Sequence, residues 1–79
     1  RQELWVQFAD KEAFFKEEDA LKGILASYPG KNPVVIYCKT ERAVNRLGRD
    51  YMVSGDENLL FDLEKRYGKE NIRVRSLGI

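Results

Sequence analysis

The chain has 79 residues, 43% of them apolar and 34% charged, with a formal net charge of +1. That is room for one modest core, and a chain this short buries only about 60 to 65% of the surface its unfolded form exposes. No apolar run approaches the ~18 residues of a membrane span, and no signal peptide is apparent at the start. Histidine is absent and Cys38 is the one cysteine. This rules out an internal disulfide and removes the commonest general base and zinc ligand.

Leu4, Val6 and Phe8 alternate with Trp5 and Gln7, the pattern of a half-buried strand. Asp10 is placed to cap a helix, and acids crowd the turns that follow, where the helix dipole favours them. Phe14, Leu21, Ile24, Leu25 and Tyr28 recur at helical spacing, and Pro29 and Gly30 are expected to stop the helix. Pro33 opens a second strand, Val34 to Cys38, whose apolar character on both faces predicts a central place in the sheet. A buried, inert Cys38 thiol is the expected state there.

Lys39 to Arg42 reads as a polar turn. Ala43 to Leu47 and Tyr51 to Val53 read as two weaker strands broken at Gly48. Ser54 and Glu57 have the spacing of a capping box. Leu59, Leu60, Leu63 and Tyr67 form the apolar stripe of a second helix that Gly68 ends, and Ile72 and Val74 alternate with Arg73 and Arg75 in a last strand.

One phrase occurs twice: Tyr28, Gly30, Lys31, Asn32 before Val34, and Tyr67, Gly68, Lys69, Asn71 before Ile72. Each copy leads from helix into strand, so its glycine is expected to be a helix C-cap and not a phosphate loop, which runs from strand to helix. The whole predicts an α/β, or α+β, two-layer sandwich in the order β-α-β-β-β-α-β. Both helices lie on one face of a mixed sheet, in a single domain over residues 1–79. The abrupt ends suit a piece of a longer chain.

Charge is segregated. Asp10 to Asp19 holds five acids and two bases, while Lys31 to Asp50 and Glu64 to Arg75 each hold five bases and two acids. Glu17, Glu18 and Asp19 are consecutive and fan around their helix, and Asp56, Glu57 and Asp62 are explained by helix capping and dipole, so paired catalytic carboxylates are not supported.

Two contact surfaces stand out. Trp5, Arg73 and Arg75 point away from the helices, with Tyr37 joining them if the register allows. Aromatics beside arginines on a bare sheet stack bases in RNA-recognition modules, but more often form a packing patch or a contact face to the rest of a larger chain. The glycine-aromatic signature of those modules is missing at Arg42 to Gly48. The second surface is Lys39, Arg42, Arg46 and Arg49, which need not share a face. They suit a phosphate backbone or an acidic protein surface, or serve as edge charge against aggregation.

The residues Leu21, Ile24, Leu25, Tyr28, Pro29-Gly30 and Pro33-Val34-Val35-Ile36-Tyr37, with Tyr51-Met52-Val53, Leu59, Leu60, Leu63 and Tyr67-Gly68-Lys69-Glu70-Asn71-Ile72-Arg73-Val74, carry a resemblance over nearly the whole chain. They resemble the C-terminal region of the bacterial replicative polymerase, DNA polymerase III alpha subunit, which follows an OB-fold module. The resemblance implies a non-catalytic module of a cytoplasmic DNA-directed DNA polymerase, a nucleotidyltransferase whose metal-binding aspartates lie far upstream. It implies no catalytic residue, metal or cofactor here. The implied partner is a replisome protein such as the clamp-loader subunit, with DNA as a further one. The competing reading is a stand-alone nucleic-acid-binding or ligand-sensing α/β module.

Overall fold

The most apolar run becomes an interior strand of the sheet. The computed structural model describes residues 2–76. Strands β1 (Gln2–Phe8), β2 (Pro29–Asn32), β3 (Val34–Cys38), β4 (Ala43–Arg46) and β5 (Ile72–Ser76) and helices α1 (Lys11–Ala26) and α2 (Glu57–Tyr67) follow the order β1-α1-β2-β3-β4-α2-β5. The main sheet runs β4-β3-β1-β5. β1 and β3 are parallel, as the α1 crossover between them requires, while β4 and β5 flank them antiparallel.

The register pairs Leu4 with Val34, Val6 with Ile36 and Phe8 with Cys38. These six residues face one way and pack against Phe14, Leu21 and Leu25 of α1 and Leu59 and Leu63 of α2. Both helices therefore cover one side of the sheet, in the expected element order. Deleting one of the fully buried leucines to alanine costs about 2–5 kcal/mol in such a core.

Local chemistry sets the ends of the elements. The Asp10 side chain accepts from the Ala13 amide at 2.8 Å, as its position predicts. Gly68 caps α2 with φ at +94°, its amide donating to the Glu64 carbonyl at 2.9 Å. Asn71 then ties this end to the sheet: its Nδ2 donates to the Tyr67 carbonyl at 2.8 Å and its Oδ1 accepts from Gln7 Nε2 at 3.1 Å.

Several expectations are corrected. α1 stops at Ala26 with Ser27 as its cap, before Pro29 and Gly30 are reached. Those two residues instead form β2, which bridges to Val53 through Pro29 and Asn32. The role of Gly30 is close approach. A Cβ there would lie 2.5 Å from the Val53 carbonyl carbon and closer still to the Ser54 amide nitrogen.

Tyr51 to Val53 is not a sheet strand. Arg49–Tyr51 is a 3-10 turn, and only Val53 bridges to β2. The third middle strand of the β-α-β-β-β-α-β order is thus β2. The predicted Ala43 to Leu47 strand is β4, one residue shorter, although the Leu47 amide still donates to the Val34 carbonyl at 3.0 Å. Nor does the Ser54–Glu57 capping box form. α2 begins at Glu57, so Asp56 is the group within reach of its first free amides, and it accepts from Asn58 N at 2.8 Å. Among the described residues no helix is long and apolar enough to cross a membrane.

Candidate functional site

The face of the sheet turned away from the helices is built by the odd-numbered residues of β1. In register across the sheet, one row reads Arg46, Val35, Trp5, Arg73 and the next reads Val44, Tyr37, Gln7. Glu3 and Arg75 pair at the β1–β5 end. The alternation of each strand turns all of these side chains to the same side.

At the centre is a carboxylate that composition gives no reason to notice. Glu3 is only 4% exposed. Its Oε2 accepts from Arg46 Nη1 at 2.6 Å and its Oε1 from the Trp5 indole Nε1 at 3.1 Å. The Arg46 hydrogen bond, and then that of Trp5, hold the Glu3 carboxyl below the ordinary glutamate range, against the opposing effect of burial. The Arg75 guanidinium lies over the Trp5 ring, 5.2 Å from its centroid. The indole is thus held at its edge by an acid and on its face by a cation.

The structure brings Trp5, Arg46, Arg73 and Arg75 together on this face, and Tyr37 joins them. It does not gather the whole basic set. Lys39 and Arg42 sit in the turn between β3 and β4, and Arg49 lies in the 3-10 turn beyond the other end of β4. About 10 Å of strand separates the two ends. Glu3 is the residue missed from sequence. Its signal was an acid two positions before Trp5, hence on the same face, opposite a strand carrying Arg73 and Arg75.

Known protein families, curated proteins and solved structures contain no match to this chain.

Chemically, the face offers guanidinium groups, an indole, a phenol and an amide. These are hydrogen-bonding groups and π surfaces. Among the described residues no three His, Cys, Asp or Glu side chains converge as metal ligands do. Cys38 lies on the helix side, 4% exposed, and burial pushes its thiol pKa up. That favours the protonated, unreactive form.

Proposed function

We propose that this chain is a non-catalytic contact module, the C-terminal part of a bacterial replicative DNA polymerase of the III alpha type. It holds a replisome protein such as the clamp-loader subunit in the cytoplasm. The family resemblance supports the assignment, and the open sheet face supports the mode of action. The observation that carries it is Trp5, fixed between the Glu3 carboxylate and the Arg75 guanidinium. Tryptophan, tyrosine and arginine dominate binding energy at protein interfaces, and side chains already ordered lose less entropy on docking.

Calorimetric titration of this chain with purified clamp-loader subunit tests the proposal. Trp5→Ala is expected to weaken binding at least tenfold, while Lys31→Ala, away from the face, leaves it unchanged. No binding by the unaltered chain overturns it.

The nucleic-acid reading draws on one observation, that Trp5 and Tyr37 occupy adjacent rows with Arg73 beside them. Arg46 already gives one nitrogen to Glu3, which leaves few uncommitted cations on the face among the described residues. Single-stranded DNA held by two or three phosphate contacts would bind with a salt slope of about −1.4 to −2.1. A flat salt response excludes this reading.

A further inference from the structure

The outer edge of β4 is a second surface that borders the open sheet face and has a specific chemistry of its own. β4 ends the sheet order. The Leu47 amide donates to the Val34 carbonyl at 3.0 Å, and the register continues through the Ile36–Asn45 and Cys38–Ala43 pairs. Antiparallel alternation then turns the backbone N–H and C=O of Val44 and Arg46 outward. Among the described residues these groups have no backbone partner.

Beside this edge, on the helix side, lies a cleft of about 260 Å³ lined by Lys11, Phe14, Phe15 and Cys38 and by Ala43, Val44 and Asn45 of β4 itself. Phe15 is 64% exposed at its rim, and Val44, across the strand, is 56% exposed. An unpaired strand edge flanked by exposed apolar side chains is the arrangement that accepts an added strand.

Charge selects the strand. From Lys39 to Arg49 there are four bases and one acid. That acid, Glu41, is occupied: its Oε1 accepts from the Lys11 amide at 3.0 Å. Two copies of this chain pairing edge to edge would set Arg42 and Arg46 against their own kind, which disfavours self-association.

We infer that the β4 edge binds an extended acidic peptide segment by strand addition. The segment alternates: its apolar side chains lie on the Phe15 side, and its carboxylates lie on the open-face side, beside Arg46, whose side chain is 59% exposed and pairs with Glu3 through Nη1 alone. Its backbone pairs with the outward groups of Val44 and Arg46. This holds whether or not the replisome assignment is correct, because it rests on the edge, the apolar cleft beside it and the local charge.

The probe is a synthetic peptide of four Asp-Val repeats, added to the isotope-labelled chain and followed by NMR. The Val44 and Arg46 amides are expected to shift, and their hydrogen exchange to slow at least tenfold at saturation. Val44→Pro removes one outward N–H without touching the ladder to β3, and should weaken binding at least tenfold with the fold retained. Should that variant fail to fold, Phe15→Glu on the exposed rim is expected to give the same loss. Three results overturn the inference. They are no shift at Val44 and Arg46 at millimolar peptide, equal affinity for a Lys-Val peptide of the same length, or concentration-dependent pairing of this chain through β4.

Discussion

Arg46 on β4 reaches Glu3 on β1 across the strand between them, closing an ion pair at 2.6 Å over β3. Val35 lies in that intervening strand, in register with Arg46 and Trp5, and is fully buried although it faces away from both helices. The aliphatic stem of an arginine can cover apolar surface while its head pairs, and here the pair joins two non-adjacent strands. The open face is therefore ordered by contacts within the chain itself.

Stability should fall in acid partly through this pair. The folded state holds the Glu3 pKa below its unfolded value, so the contribution is complete above the ordinary glutamate range and is lost as pH falls through the lowered folded value. Urea unfolding across pH should show this loss, and Glu3→Gln should show less of it. An identical pH dependence in the variant contradicts the assignment.

Glycine substitutions should separate sharply by position. Gly30→Ala forces a Cβ into backbone and is expected to cost about 1–3 kcal/mol. Gly48 has φ at −69° and nothing within 4 Å of its built Cβ, so Gly48→Ala should be neutral or stabilise by about 0.4–1 kcal/mol. Denaturant midpoints measured on both variants decide.

Arg42 is held at φ +53°, a left-handed conformation that costs a side-chain-bearing residue about 1 kcal/mol or more. Arg42→Gly should raise the stability of the folded state by some part of that amount, as read by urea unfolding. A loss of stability would show that the Arg42 side chain makes a contribution larger than the strain.

Cys38 should resist alkylation. Its burial and raised pKa both lower the accessible thiolate, so its reaction with a thiol reagent at pH 8 should follow global unfolding. Fast labelling of the native chain would contradict the packing described.

The apolar periods of β1, β3 and both helices were plain in the sequence because each element buries one face against the same core. What was hidden depended on distant partners. Gly30 looked like a helix stop, since glycine after proline carries that local signal. Its reason is the backbone of Val53 and Ser54, more than twenty residues on. Tyr51 to Val53 showed strand alternation over only three residues, too short to distinguish a strand from a turn followed by one buried valine. The twin Tyr-Gly-Lys phrases behave differently for the same reason: Gly68 takes a positive φ and caps, while Gly30 yields to a neighbour. Of the open face, Trp5, Arg73 and Arg75 followed from alternation alone. Glu3 did not, because an acid near a strand's start reads as solvated until Arg46, 43 positions away, is seen to meet it.

The chain contains one tryptophan, so its indole N–H gives a single NMR cross-peak that reports on the open face directly. Titration with purified clamp-loader subunit is the most direct test of the contact-module reading. The account predicts that the Trp5 indole signal shifts together with the Arg73 and Arg75 amides. Binding that leaves those three signals unmoved, or no binding at all, would contradict it.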